Sequence, residues 1–290
     1  MKNRFETERL LLRPWEEDDA ESLYEYAGNP AVGPVAGWPP HKSVEESRDV
    51  IKNVLNGPEA YAVCLKEDGR AIGAVELKPK DHSDLAESDD ECELGYWVGQ
   101  PFWGRGIIPE AVTEMLRHAF EDCGMKKVWC GYYDGNTKSA RVQEKCGFIF
   151  QRTIQDEDVP LLHEKRTVHA SCLTKEDYKK RFIAYCGLNC EQCDARLATV
   201  THDEELRAKV AKEWSEMNGI EITPDMLHCV GCRIAGVKTP YCESLCPIRK
   251  CTKDKGVQIC SDCGDMSHCE KVGAIIGNNT DAQNKLKERE

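Results

Sequence analysis

The chain lacks any run of eighteen apolar residues, so no segment is expected to cross a bilayer as a helix. Its first residues lack the apolar core of a secretory signal, which points to a soluble, cytoplasmic protein with no membrane partner. Internal repeats and low-complexity tracts are absent as well, which excludes solenoids and linker-like chains. Basic charge is in short supply: 39 lysines and arginines face 51 acidic residues, for a formal charge of −12. Residues 183–290 hold 14 basic and 17 acidic residues, so most of the excess lies earlier in the chain. Such a balance disfavours nonspecific nucleic-acid binding and suits a cationic acceptor. No nucleic-acid partner is expected, and the oligomeric state is left open.

Cysteine is abundant and unevenly placed. Of 17 in all, eleven fall between Cys186 and Cys269. The other six, Cys64, Cys92, Cys123, Cys130, Cys146 and Cys172, sit in strand or helix patterns and read as small buried hydrophobes. The shift in composition marks a boundary near Tyr178–Arg181. The expected organisation is a domain over 1–176, a linker helix over 177–182 and a cysteine-rich domain over 183–290, and 290 residues suffice for both domains.

The most informative segment is Gln100-Pro101-Phe102-Trp103-Gly104-Arg105-Gly106-Ile107-Ile108-Pro109-Glu110-Ala111. Gly104 and Gly106 carry no Cβ, so the backbone there can bend sharply and approach a ligand. Val112, Met115, Leu116 and Phe120 recur at helical spacing, and the predicted helix runs from Glu110 to Phe120. A helix start leaves N–H groups unpaired and carries partial positive charge, so a pyrophosphate can bind there. Pro109, early in the helix, gives up an N–H that would be unpaired anyway. A strand, Glu93–Val98, feeds the turn. A second segment follows about thirty residues on: Asn136, Ser139, Arg141, Glu144, Lys145, then Gly147-Phe148. The layout suits a phosphate-bearing cofactor with a pantetheine arm, hence an acyl-CoA-dependent transferase.

These residues resemble the GNAT superfamily of N-acetyltransferases, in its ribosomal-protein N-terminal acetyltransferase branch. Glu6-Thr7-Glu8-Arg9-Leu10-Leu11-Leu12-Arg13 is similar to the family's first strand. Gly95-Tyr96-Trp97 through Gly106 and Glu110-Ala111 is similar to its cofactor motif, and Asn136 to Phe148 to its last conserved helix. The resemblance spans about residues 1–176. It implies an α/β (α+β) fold with a mixed, mostly antiparallel sheet, flanking helices, and an acetyl-CoA thioester lying where the family's fourth and fifth strands splay apart.

The implied cofactor contacts are Trp97, Val98, Gln100, Trp103, Gly104, Arg105, Gly106, Ile107, Ile108, Asn136, Ser139 and Arg141. A backbone N–H near Trp97 or Val98 would polarise the thioester, and Asn136 would bond the pantetheine arm. Acetyl transfer to an amine acceptor, a protein N-terminus or a small molecule, needs that amine neutral. Deprotonation at pH 7 costs roughly 4–5 kcal/mol for a lysine and about 1 for an α-amine. By resemblance Glu93 is the candidate base, acting through water. Ser139 is the candidate to hold the sulfur or supply its proton. Gln143 stands where many relatives carry a tyrosine acid, and an amide cannot replace it. Tyr132 and Tyr133 are outside candidates. A binding protein that senses acyl-CoA without catalysis is the alternative reading.

The second domain reads Cys186-x3-Cys190-x2-Cys193, Cys229-x2-Cys232, Cys242-x3-Cys246-x4-Cys251, Cys260-x2-Cys263-x5-Cys269. Cysteines two residues apart can put two thiolates on one metal. The expected ligands are Cys186, Cys190, Cys193, Cys229, Cys232, Cys246, Cys251, Cys260, Cys263 and Cys269, with zinc as the metal. Cys229/Cys232 with Cys260/Cys263 has zinc-ribbon-like logic. The first triplet also has the spacing of a radical iron–sulfur enzyme, but too little chain follows for that fold. The only marked apolar face is confined to the helix between Glu204 and Trp214, so metal is expected to carry much of the folding energy. The matching residues Tyr185-Cys186-Gly187-Leu188, Trp214, Cys229-x-Gly231-Cys232 and Cys246-x-Ile248-Arg249-x-Cys251 resemble a bacterial and archaeal domain of unknown function. The tail from Lys285 to Glu290 reads as a frayed, mixed-charge end.

Overall fold

The computed structural model describes residues 3–234 and 236–287, and the chain divides into two units, Met1–Lys175 and Glu176–Glu290. In the first unit, eight strands form one sheet: β1 (Phe5–Glu6), β2 (Leu10–Arg13), β3 (Ala60–Leu65), β4 (Ala71–Pro79), β5 (Glu91–Val98), β6 (Lys127–Tyr133), β7 (Ile149–Val159) and β8 (Glu164–Thr174). Their order is β1-β2-β3-β4-β5-β6-β8-β7. Every neighbouring pair is antiparallel except β5 and β6, so the sheet is mixed and mostly antiparallel, as expected.

Helices cover both faces. They are α1 (Ala20–Ala27), α2 (Gly33–Ala36), α3 (Val44–Asn53), α4 (Ile107–Arg117) and α5 (Thr137–Cys146), and α6 (Lys175–Lys180) follows β8. One apolar cluster packs Leu23, Ala27 and Ile51 of α1 and α3 on Ala62, Cys64 and Ala74 of the sheet. α4 buries Ile108, Ala111, Val112, Met115 and Leu116, spaced at three or four so that one stripe faces inward. Ser43 caps α3 by accepting from Glu46 N–H at 3.2 Å, worth about 1 kcal/mol. The Glu46 carboxylate takes the N–H of Lys42 rather than that of Ser43, so only half of a capping box forms. α2 is a single turn, which Gly37 ends in a left-handed conformation.

Cys123 departs from its expected burial: it is exposed, just past a π-helical turn (His118–Asp122) that extends α4. The other five early cysteines are buried.

The second unit is helical: α7 (Asp194–Val200), α8 (Glu204–Asn218), α9 (Pro247–Lys255), α10 (Glu270–Ile276) and α11 (Thr280–Lys287), joined by tight turns. Asp203 caps α8, accepting from Leu206 N–H at 2.8 Å. Ala195, Val210, Ala211 and Leu227 form one apolar cluster on that helix. A second cluster was not anticipated: Ala184, Ile248, Ile259, Val272, Ile276, Ala282 and Leu286 gather with Cys186, Cys232 and Cys260. Its members are single apolar residues on short segments, too sparse to show periodicity. Lys285–Lys287, expected to fray, close α11, and Leu286 there is buried. The rest of that tail, 288–290, lies outside the described residues.

Candidate active site

β5 pairs with β6 only from Glu91 to Glu93, against Lys127 to Trp129. Beyond Glu93, β5 stays on β4 and β6 stays on β8, so the two strands part. The parting opens a cleft of about 780 Å³ within the first unit. Gly99 N–H donates to Ile72 O at 2.8 Å, and antiparallel bonding alternates. The Trp97 N–H therefore faces β4, whereas that of Val98 faces the gap. The Val98 carbonyl on the same side accepts from Trp103 Nε1–H at 2.9 Å.

The glycine turn forms one wall. Gly104 and Gly106 have φ of 75° and 76°, the left-handed region where a side chain costs roughly 1–2 kcal/mol. A Cβ on Gly104 would meet nothing within 4 Å, so the backbone there is open to a ligand. Gly106 is the N-cap of α4, which begins at Ile107 rather than Glu110. No side chain caps this helix, which leaves its first N–H groups available. The turn is fastened from a hundred residues away. Glu110 accepts from Thr7 Oγ1 at 2.6 Å, Arg9 N at 2.9 Å and Arg9 Nε at 2.7 Å, and Arg9 Nη1 donates to Arg105 O at 3.1 Å.

α5 forms the other wall, and Ser139, Arg141, Lys138 and Lys145 line it. The Lys138 ammonium lies 3.5 Å from the Trp103 ring centroid, so cations and unpaired N–H groups meet at one mouth, as an anionic group requires. Asn136 Oδ1 accepts from Ser139 N–H at 3.2 Å and its Nδ2 donates to Val35 O at 3.2 Å. Its side chain thus caps α5 and ties α2.

Of the sequence-predicted cofactor contacts, Trp97, Val98, Trp103, Gly104, Gly106, Ile107, Ile108, Asn136, Ser139 and Arg141 line this cleft. Gln100 and Arg105 do not. Gln100 Oε1 accepts from Asn29 Nδ2 at 2.7 Å, and the Arg105 guanidinium lies over the Phe102 ring at 5.6 Å.

Glu93 lines the cleft where β5 and β6 begin to part, its side chain only 12% exposed. Its carboxylate accepts from Ser83 Oγ at 2.9 Å and Asp84 N–H at 3.1 Å, and lies 3.5 Å from Lys78 Nζ. Burial lowers the Lys78 ammonium, but Glu93, Glu76 and Asp84 outweigh it and hold Lys78 above the ordinary lysine value.

Tyr96 is the residue that sequence reasoning missed. Its hydroxyl lies 2.9 Å from Ser139 Oγ and 3.3 Å from the Ser139 carbonyl, across the cleft from β5 to α5. Burial pushes its phenol well above the ordinary tyrosine value, so it stays protonated. The clue was available, since Gly95-Tyr96-Trp97 is on the strand beside the thioester, but strand register alone does not reveal a partner on a helix. Tyr132 and Tyr133 also line the cleft; the Tyr132 ring lies 5.0 Å from that of His169, and Arg166 lies over the Tyr133 ring at 4.9 Å. Gln143 is buried at 2% exposure outside the cleft lining, with both amide atoms unpartnered.

Among the described residues, three ligand atoms from Glu59, His118 and Cys123 lie within 4.8 Å of one another. There His118 bridges two carboxylates, with Nε2 2.9 Å from Glu59 and Nδ1 2.9 Å from Asp122. In the second unit the thiols fall into groups. Cys232 N–H donates to Cys190 Sγ at 3.5 Å, which sets the Cys229/Cys232 pair beside Cys190. Cys251, Cys260, Cys263 and Cys269 line a separate small cavity. Cys186 packs in the larger apolar cluster and Cys193 against the smaller, so the first triplet is divided. Burial first, then neighbouring thiols including Cys246, pushes Cys242 up to about 12.

The sheet, the splayed strands and the glycine turn have the layout of a GNAT acetyltransferase domain. Residues 9–149 match the family described as acetyltransferase (GNAT) domain, and residues 182–274 match a protein of unknown function (DUF3795). The chain thus carries a GNAT acetyltransferase domain followed by a separate DUF3795 domain. It is similar to the uncharacterized N-acetyltransferase p20 of Bacillus licheniformis, 26% identical over 52% of this chain and 84% of that protein. YdaF of Bacillus subtilis, described as a candidate ribosomal N-acetyltransferase, is 33% identical over 35% of this chain and 51% of its own length. A GNAT-family acetyltransferase from Bacillus anthracis shares the fold, with a TM-score of 0.53 at 20% identity, over 60% of this chain and 99% of that one.

Proposed function

We propose that the chain transfers an acetyl group from acetyl-CoA to a primary amine that approaches as a cation. The observation that carries this is the shared cleft. It brings the open helix start of α4, the basic side of α5, Glu93 and the Tyr96–Ser139 pair to one space. The fit to acetyl-CoA rests on the open approach at Gly104 and the uncapped N–H groups after Gly106. Those groups and Lys138, Arg141 and Lys145 would hold the phosphates. The Val98 N–H would polarise the thioester carbonyl.

Asp84, Glu93, Glu157 and Asp158 line the same cleft, with Lys78 beside Glu93. An amine arriving protonated is attracted there and must lose a proton before attack. Glu93, held by Ser83 and Asp84, would take it through water. Ser139 would pass its own hydroxyl hydrogen to the leaving sulfur as it takes the Tyr96 proton, and the Tyr96 phenolate would then regain a proton from solvent. A protein N-terminal α-amine has the lower deprotonation cost, about 1 kcal/mol at pH 7. A non-catalytic acyl-CoA sensor would give Glu93 and the Tyr96–Ser139 pair no task.

We further propose that zinc stabilises the cysteine-rich unit, and that the protein works in the cytoplasm, where thiols stay reduced. The grouped thiols favour this reading. The second apolar cluster lowers the share of folding energy that metal must supply. The deciding experiment is thiol release from acetyl-CoA with a panel of peptides and small amines. Amine-dependent release that saturates in both substrates is expected. Tight acetyl-CoA binding with no amine-dependent release would leave the sensor instead.

A further inference from the structure

The sequence spacing places Cys229/Cys232 with Cys260/Cys263, but only the second of these pairs lines the small cavity of this unit. Cys232 lies beside Cys190, as its N–H to Cys190 Sγ contact shows. Cys260 and Cys263 instead share a cavity of about 40 Å³ with Cys251 and Cys269. The four come from different pieces of local structure. Cys251 is in the middle of α9 and Cys269 is the N-cap of α10. Cys260 and Cys263 flank a tight turn closed by Cys263 N–H donating to Cys260 O at 3.1 Å.

We propose that Cys251, Cys260, Cys263 and Cys269 together hold a single zinc ion. This rests on the metal reading above and gives it a place. The donor set is all sulfur, which suits a thiophilic dication with four ligands. A water needs about 10–15 Å³ of such space, so a cavity of about 40 Å³ has room for a single ion. Charge supports it. Four thiolates on a dication carry net −2, and Lys255 already places its ammonium 3.2 Å from Cys263 Sγ. Asp265 orients that ammonium at 2.6 Å, outside the sulfur shell.

The bond changes balance simply. Four thiols give four protons to solvent, and four S–Zn bonds form. The sulfurs draw in on binding, since no three of the described thiols lie within 4.8 Å of one another. The result ties α9 to α10 across 256–269, where the regular structure consists of two short turns, Cys260–Asp262 and Met266–His268.

The test uses the full chain. Zinc per chain is measured after dialysis for wild type, Cys263→Ser/Cys269→Ser and Cys263→His, with acetyl-CoA binding followed in each. The serine variant should lose one zinc equivalent and keep acetyl-CoA affinity. Cys263→His supplies another ligand, so it should retain that zinc; this separates ligation from loss of fold. Lys255→Met should keep the stoichiometry and weaken zinc about tenfold. Wild-type zinc with no loss in the serine variant would place the ion elsewhere and overturn this site while the metal reading stands. Loss of zinc in Cys263→His as well as in the serine variant would overturn ligation by this thiol. No metal in the wild type would remove both. Iron and sulfide lost together in the serine variant would overturn zinc in favour of a cluster.

Discussion

The Tyr96 hydroxyl lies 2.9 Å from Ser139 Oγ, joining the strand on one side of the cleft to the helix on the other. With Gln143 buried outside the cleft, this pair is the nearest arrangement to the missing acid. Burial keeps the phenol neutral, so it can donate to Ser139 Oγ, which would leave the serine hydrogen for the sulfur. Tyr96→Phe and Ser139→Ala should each lower kcat about a hundredfold with little change in acetyl-CoA KM. The double variant should be no worse than the poorer single one, because the two act as a unit. Strictly multiplicative losses in steady-state kinetics would show that they act independently.

Gly104 separates shape from charge. Its left-handed φ of 75° tolerates asparagine better than most side chains, and a Cβ there meets open space. Gly104→Asn should keep the fold and weaken acetyl-CoA modestly. Gly104→Asp is nearly isosteric but sets a negative charge against the phosphates, and calorimetry should show at least tenfold weaker binding than for asparagine. Equal affinities for the two would mean that no phosphate sits at this turn.

Much of the first unit was legible because its signals are local. The glycines and the stripe on α4 each act within a few residues, whereas Asn136, expected on the pantetheine arm, has its side chain on Ser139 N–H and Val35 O. The Arg9–Glu110 fastening, at 2.7 Å, was visible only as two separate motifs, since pairing over a hundred residues leaves no periodicity. Tyr96 was missed for the same reason. The second unit was harder. Its core is built from scattered residues such as Ile259 and Leu286, and its thiols group by folding rather than by spacing.

Glu93 is held on both carboxylate oxygens, by Ser83 and Asp84 on one and Lys78 on the other. Glu93→Gln keeps the shape and removes the base. Turnover near neutral pH should fall about tenfold or more, and the deficit should shrink as pH rises toward the amine pKa and free amine accumulates. An α-amine acceptor should show a smaller deficit than a lysine. Wild-type rates between pH 6 and 9 in this variant would assign the proton to another group or to bulk water.

His118 gives the first unit a pH-dependent strut away from the cleft. Its ring is buried, with Glu59 at Nε2 and Asp122 at Nδ1, both at 2.9 Å. Burial lowers its basicity, but the two carboxylates outweigh that and raise the histidine above its ordinary value. Because the folded pKa is the higher one, the proton is held more tightly in the folded state. The contribution is therefore complete below the unfolded value of about 6.5 and is lost as pH rises through the folded value. His118→Gln should remove about 2 kcal/mol at pH 5.5, where the bonds to an imidazolium are fully formed, and less at pH 8.5. The unfolding transition to follow is the one that acetyl-CoA shifts upward, since that transition belongs to the first unit. A loss of equal size at both pH values would mean that packing of the ring, not its charge, is what stabilises this end of α4.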